Sequence, residues 1–264
     1  MQTISETHEA SGLFRHKEDR LPVFMVLLMT SIDFVLYFTV NSLTLLFIYY
    51  LVMIIPKGVV CAFNHHHQHI FTFRHDVLNR GLEFAYALHT GVTTYLWRLH
   101  HSLGHHINFL DQEKDESRWK RKDGSCMGVI EYTLNVALTA YPRGYAVGKK
   151  YPKQLRQFLV YTVITFVLVG VLVWFKPAAG IMLFALPMVT SLLYTAWATY
   201  EHHSGLDTKN QFEASYNNLG KIYNFFTGNL GYHTAHHYKQ GVHWSKLPAL
   251  HATIEDKIPA HLYR

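Results

Sequence analysis

The chain has 264 residues, of which 49% are hydrophobic and 15% aromatic, with a formal net charge of +6. Long uncharged apolar runs alternate with stretches rich in His, Lys and Arg, which argues against an ordinary soluble protein and favours one membrane-embedded domain over residues 1–264. The basic residues lie beside the apolar runs, where anionic lipid headgroups account for them. The charge therefore gives little support for nucleic-acid binding.

The apolar runs predict four membrane-spanning helices. Residues 1–20 mix both charge signs and lack a signal-peptide core, so we expect them to form a tail. Residues 21–60 suit two helices of about 20 residues each, with a turn near Asn41 and Ser42. Residues 155–200 suit another pair, divided at Lys176-Pro177 and kinked at Pro187.

Two hairpins predict an orientation. They place the tail, residues 61–154 and residues 201–264 on one side of the membrane, and nearly all charged residues fall there. An excess of Lys and Arg marks the cytoplasmic side. We therefore expect an all-α integral membrane bundle with a cytoplasmic histidine-rich cap, cytoplasmic termini and a place in the cell inner membrane.

Three segments of the predicted cap lack histidine clusters. Residues 81–97 and 127–142 are apolar but short, so we expect interfacial or packed helices. Residues 111–122 mix both charge signs, which predicts a solvated loop. Two cysteines, Cys61 and Cys126, are too few for a disulfide framework and fit a reducing compartment.

The 20 histidines occur in clusters. In the first, His65 and His69 lie four residues apart and would share one face of a helix. In the second, His101 and His105 have the same spacing, and His106 follows. The first cluster alone fits either a metal site or a histidine-rich metal-handling loop.

A third cluster and a histidine pair follow the last apolar run. The third contains His233, His236 and His237, which could reach a single ion from one helix. The pair is His202 and His203. With one member of this pair, nine imidazoles are available, which exceeds the four ligands of one zinc ion and suits two ions.

The kind of metal follows from the membrane setting more than from the ligands. Imidazole nitrogens suit Zn, Cu, Fe or Ni. A site at the mouth of a lipid-embedded bundle faces acyl chains, whose strong C–H bonds ordinary acids, bases and nucleophiles cannot break. A redox metal with oxygen can do so.

At these residues the sequence resembles the membrane fatty acid desaturase and hydroxylase superfamily, which carries three histidine boxes. Residues 65–69 match HxxxH, residues 101–106 match HxxxHH and residues 233–237 match HxxHH. HSLGHH and YEHHSGL look like motifs of alkane monooxygenases, and that alignment makes His202 the extra ligand. Residues 229–248 look like bacterial acyl desaturases.

The resemblance implies a non-heme di-iron site with O₂ as co-substrate. The implied ligands are His65, His69, His101, His105, His106, His202, His233, His236 and His237, with His66, His67, His100 and His203 as surplus or alternative ligands. Asn64, Glu201 and Asn229 are candidates to orient the ligands. The implied reaction removes hydrogen from a methylene group held between the helices.

The expected function is O₂-dependent desaturation of a fatty acyl or related lipid chain. The alternative within the family is hydroxylation of an alkyl, acyl or carotenoid substrate. Because cytochrome b5, iron–sulfur and nucleotide motifs are missing from the sequence, we expect a separate electron donor of ferredoxin, rubredoxin or cytochrome b5 type with its reductase. A divalent-metal transporter or sensor is less favoured, because transporters place ionisable ligands within their spans.

Overall fold

The computed structural model of the chain describes residues 12–264, in which helices are joined by loops and the only β structure is isolated bridges. The main helices are α1 Arg20–Thr39, α2 Leu43–His69, α3 Asp76–Thr90, α4 Val129–Gly148, α5 Pro152–Phe175, α6 Leu186–His203, α7 Lys221–Thr227 and α8 His233–Tyr238. Two π-helices, Arg98–His105 and Ile181–Ala185, interrupt the regular pattern. Short turns occupy Lys17–Asp19, His106–Asn108, Pro177–Gly180, Trp244–Lys246, Leu247–His251, Glu255–Lys257 and Ala260–Leu262. The first eleven residues of the predicted tail lie outside the described residues.

Within residues 12–264, four helical stretches are long and apolar enough to cross a membrane, which confirms the prediction of four spans. They are Lys17–Thr39, Leu43–His69, Pro152–Phe175 and Pro177–His203. The first two are separated by the predicted turn, where the Ser42 hydroxyl caps α2 by accepting from the Leu45 amide at 3.4 Å. At the second pair, the π-helix Ile181–Ala185 directly precedes Pro187 in the first turn of α6.

Helix α2 continues beyond the predicted end of the first hairpin at residue 60. It has 27 residues, a length of about 40 Å at the rise of an α-helix, whereas the hydrocarbon core of a bilayer measures about 30 Å. Its last two turns can therefore project beyond the apolar layer. Those turns carry His65 and His69.

Helices α3 and α4 pack against the spanning helices, as the two short apolar segments predicted. Helix α3 contacts α2 and α6, and α4 lies along α6. The first segment was predicted over 81–97, but α3 ends at Thr90 because Gly91 adopts φ +68°. A Cβ at Gly91 would lie 2.2 Å from the Met188 carbonyl oxygen, so the close approach of α3 to α6 requires glycine here.

An ion pair lies between α1 and α2 inside the spanning bundle. The Lys57 ammonium donates to Asp33 Oδ2 at 2.7 Å and to the Leu183 carbonyl at 3.0 Å. The Tyr49 hydroxyl donates to the other Asp33 oxygen at 2.8 Å. Both charged groups are fully buried, so these hydrogen bonds must compensate for the loss of their hydration.

Lys57→Met is expected to destabilise the protein by about 3–5 kcal/mol, because it leaves the Asp33 carboxylate buried without its counter-charge. The measurement is thermal unfolding in detergent. The double variant with Asp33→Leu removes both charges and should unfold at a higher temperature than Lys57→Met alone. A double variant less stable than the single one would contradict this account of the pair.

Candidate metal centre

Four helix segments deliver the histidine clusters to one end of the bundle. The C-terminal turns of α2 and α6 carry the first cluster and the histidine pair, and α8 carries the third cluster. The second cluster lies on the π-helix Arg98–His105 and the turn His106–Asn108. These histidines are buried almost without exception.

The first histidine group contains five side chains: His65, His69, His101, His106 and His236. The His65 Nε2 atom lies 2.8 Å from that of His101 and 3.1 Å from that of His69. The His106 Nε2 atom lies 3.0 Å from His101 Nε2 and 3.0 Å from His236 Nε2. All five side chains thus direct the same ring nitrogen toward one point.

The second histidine group contains His105, His203 and His237, and His233 joins them. The His203 Nε2 atom lies 3.2 Å from that of His105 and 3.0 Å from that of His233. The rings of His237 and His106 stack with centroids 4.1 Å apart, so the two groups are neighbours. Together they hold nine imidazoles.

The π-helix divides the second histidine cluster, so that its members belong to different groups. A π-helix forms hydrogen bonds from residue i+5 to residue i, and here the His106 amide donates to the His101 carbonyl. His101 and His106 therefore share the first group. His105 is directed toward the second group, although its spacing from His101 would place both on one face of an α-helix.

The donor set fits metal ions better than it fits hydrogen bonds. A neutral imidazole carries one N–H, and the His101 Nε2 atom faces two other Nε2 atoms within 3.0 Å. Burial, followed by repulsion from neighbouring histidines, lowers the pKa of His101, His106 and His236 far below the ordinary 6.5. Neutral rings with converging lone pairs are suited to two divalent metal ions.

Two members of the second group are oriented by acceptors on their other nitrogen. His105 Nδ1 lies 2.8 Å from Asp115 Oδ1, and His203 Nδ1 lies 2.8 Å from the Ala214 carbonyl. Each Nδ1–H therefore donates to oxygen, which leaves Nε2 unprotonated for a metal. The Asp115 carboxylate is buried and also accepts from the Ser117 amide at 2.8 Å.

His202 is placed differently from the prediction, which put it among the ligands in preference to His203. Its Nε2 atom lies 3.4 Å from the Tyr223 hydroxyl, and its ring stacks on that of His233 with centroids 3.9 Å apart. Neighbouring residues on a helix point about 100° apart. The structure brings His203 into the second group, and His202 lies beside it.

The three surplus histidines lie outside both groups. His66 Nε2 contacts the Thr227 carbonyl at 3.0 Å, and His67 Nδ1 contacts the Thr72 hydroxyl at 2.9 Å. His100 is buried, and its Nε2 atom has no hydrogen-bond partner within residues 12–264. Burial lowers the pKa of His100 to about 3, so its ring is neutral.

The residues predicted to orient ligands have other partners. Asn64 donates to the Thr90 hydroxyl at 3.1 Å and Asn229 to the Trp244 carbonyl at 3.2 Å. Glu201 pairs with Arg264 at 3.0 Å near the surface. Sequence reasoning missed Asp115, which lies ten residues after His105 in the run predicted to be a solvated loop, where no periodic spacing marks it.

Two cavities are lined by members of the histidine groups, and a third adjoins the first of them. The metal cavity, of about 60 Å³, is lined by His65 and His101 of the first group and by His105, His203 and His233 of the second. The lateral groove, of about 490 Å³, lies between α1, α2 and α7. The end pocket, of about 30 Å³, lies between α4, α6 and the π-helix Arg98–His105.

Within residues 12–264, four helices are long enough and apolar enough to cross a membrane, and the clustered imidazoles at one end could hold metal ions. The sequence profile of the fatty acid desaturase family matches residues 41–264. The chain therefore belongs to this family and is an integral membrane oxidoreductase of the desaturase and hydroxylase superfamily. Searches of curated proteins and of solved structures found no match.

Proposed function

We propose that the protein uses O₂ and two iron ions to oxidise a C–H bond of a lipid chain, with desaturation of a fatty acyl chain as the primary reaction. One observation carries this proposal. The metal cavity contacts both histidine groups and shares Val59 and Tyr194 with the apolar lateral groove. A hydrocarbon chain in the groove would thus lie next to a cavity that is lined by five of the nine imidazoles.

In this reaction the protein itself would hold the metal ions, orient their histidine ligands and exclude water. The five-histidine and four-histidine groups would each hold one ion, and iron supplies the one-electron and oxygen chemistry that C–H cleavage needs. Asp115 and the Ala214 carbonyl fix the rings of His105 and His203. The surface of the metal cavity is mostly apolar, which suits a methylene group better than water.

Hydroxylation is the alternative, because both reactions begin at the same C–H bond. Desaturation consumes O₂, two electrons and two protons and releases two water molecules with the alkene. Hydroxylation has the same input, but leaves one oxygen atom on the carbon and releases one water molecule. Nothing in the order of the histidine groups separates the two, so the product must be measured.

The remaining parts of the proposal concern partners and orientation. We assign the electrons to a separate protein of ferredoxin, rubredoxin or cytochrome b5 type with its reductase. The histidine end of the bundle carries most Lys and Arg residues, which supports a cytoplasmic location for it in the cell inner membrane. A metal-transport function is less well supported, since the histidines lie at helix ends beside an apolar cavity.

The test is mass spectrometry of lipids and fatty acids from cells that express the chain with an electron donor under isotopically labelled oxygen. We expect a product that lacks two hydrogens, and a product with one labelled oxygen would instead establish hydroxylation. His236→Ala removes a ligand of the first group and should abolish either product while the protein still inserts. Identical lipid profiles for the two forms across alkane, fatty acid and glycerolipid substrates would contradict the proposed function.

A further inference from the structure

The three cavities form one path through the protein. The lateral groove and the metal cavity share the residues Val59, Tyr194, Tyr223 and Thr227. The metal cavity also shares a different set of residues with the end pocket, namely Trp97, His101, Thr195 and Thr199. A chain that lies in the groove and passes the histidine groups therefore arrives at the end pocket.

The groove opens toward the membrane. It is lined by the apolar side chains of Met25 on α1, Ile55 on α2 and Ile222 and Phe226 on α7, all of which are exposed. Ile222 alone leaves 78% of its surface uncovered. Met25 and Ile55 lie on spanning helices, where exposed apolar side chains face acyl chains rather than water. The groove can therefore admit a chain sideways from the bilayer.

The mouth of the groove has a positive charge on two sides. Arg20 is the first residue of α1 and Lys221 the first residue of α7, and both are exposed. The groove lining begins with Pro22 on α1 and Ile222 on α7, directly after these two charges. Lys and Arg at the membrane surface attract anionic headgroups, which favours a substrate whose acidic head remains at the mouth.

The end pocket is small. Its volume is about 30 Å³, compared with about 490 Å³ for the groove. Its lining includes Val136, Ala137 and Ala140 of α4, which are buried, and Leu192 of α6. Only the last part of a chain fits beyond the histidine groups, whereas many carbons fit before them.

Three side chains that line this end pocket have a polar atom without a hydrogen-bond partner in the described chain: Trp97 Nε1, His100 Nε2 and Thr195 Oγ1. Buried polar atoms usually have a partner, either in the protein or in bound water. Bound water beside a short chain end would provide one. A long stretch of hydrocarbon beyond the metals would leave all three unpartnered.

We propose that the substrate is an acidic single-chain lipid, such as a free fatty acid, that enters tail first and places its terminal methyl in the end pocket. The bond that reacts then lies at or next to the chain end, rather than in the middle. This inference rests on the proposed function for its reaction. The path and the direction of the chain rest on the cavities alone.

Photo-crosslinking tests the direction without turnover. Two fatty acids, one with a diazirine at the terminal carbon and one with a diazirine at mid-chain, are photolysed with the iron-loaded protein in the absence of reductant. We expect the terminal probe to label Val129–Gly148 or Leu186–His203, and the mid-chain probe to label helices of the groove. Labelling of α4 by the mid-chain probe, or absence of α4 and α6 labelling by the terminal probe, would overturn the proposal.

Matched variants on α4 sharpen the result. Ala140→Leu fills the end pocket and should lower terminal-probe labelling of α4 and α6 several-fold, with Val136→Ala, which enlarges the pocket, retaining it. Leu138→Ala changes the same helix at a side chain that is 76% exposed and should behave like the unaltered protein. Equal labelling in all three variants would contradict the assignment of the pocket.

Analysis of the products distinguishes failure of the tail-first proposal from failure of the proposed function. Fatty acids of increasing length should be oxidised at a constant distance from the methyl end. Oxidation at a constant distance from the carboxyl group, or at mid-chain, would overturn the tail-first proposal and leave the proposed function intact. Terminal-probe labelling of the end pocket without oxidation of any chain would support the path and contradict the proposed function.

Discussion

Replacement of His203 by Ala is expected to reduce bound iron from two ions toward one per chain and to abolish activity. His203 Nε2 lies within 3.2 Å of the Nε2 atoms of both His105 and His233, so its loss removes a nitrogen from the second group. Loss of a partner that only orients a ligand lowers metal affinity roughly 10–100-fold. Loss of the ligand itself should exceed that. The measurement is iron per chain in the purified protein, by atomic spectroscopy.

His202→Ala is the matched control on the adjacent residue. Its Nε2 atom faces the Tyr223 hydroxyl, so this variant should retain both ions and lose only the ring that stacks on His233. Circular dichroism and gel filtration establish that both variants fold. Normal iron content in His203→Ala, with depletion in His202→Ala, would favour the alignment with alkane monooxygenases over the arrangement in the structure.

Asp115→Asn is expected to weaken metal binding in the second group by roughly 10–100-fold. The amide keeps a hydrogen-bond acceptor for His105 Nδ1–H but removes the negative charge that makes the imidazole a stronger ligand. Asp115→Ala removes both properties and should have the larger effect. Since Asp115 contacts a member of the second group at 2.8 Å, Mössbauer spectroscopy should show a change in one iron environment and little change in the other.

Asp111 provides a control in the same loop. It accepts from Lys114 at 2.7 Å near the surface, and Asp111→Asn should leave the iron content and both spectra unchanged. A purely structural role for Asp115 would disturb both iron environments together, through loosening of the loop. Unchanged spectra in Asp115→Asn would show that the carboxylate does not influence the metal.

The sequence by itself determined the features that depend on local order. Uncharged runs long enough to cross a bilayer predicted the four spanning helices, because a spanning helix requires a continuous apolar stretch of the chain. The turn near Ser42 was visible as a polar interruption between two such runs. The first histidine box was equally local, because a spacing of four residues in an α-helix places His65 and His69 on one face.

Tertiary structure decided how the histidines are shared between the two groups. His101 and His105 were expected to act together, but the π-helix shifts the register so that His106 joins His101. Sequence could not choose between His202 and His203, since both follow the same span. Only the contacts that His203 makes with His105, His233 and the Ala214 carbonyl place it in the second group. The end of α3 was likewise set by a contact, between Gly91 and the Met188 carbonyl.

The contact between Asp115 and His105 and the path of the substrate could not be predicted from the sequence. Asp115 occupies a charged run whose composition predicts a solvated loop, yet the carboxylate is buried because that loop folds over the second group. The cavities arise from α2, α6, α7 and the π-helix Arg98–His105, which are separated by many residues along the chain. Helical periodicity reports contacts within about one turn, whereas these features depend on which distant side chains meet, and packing alone determines that.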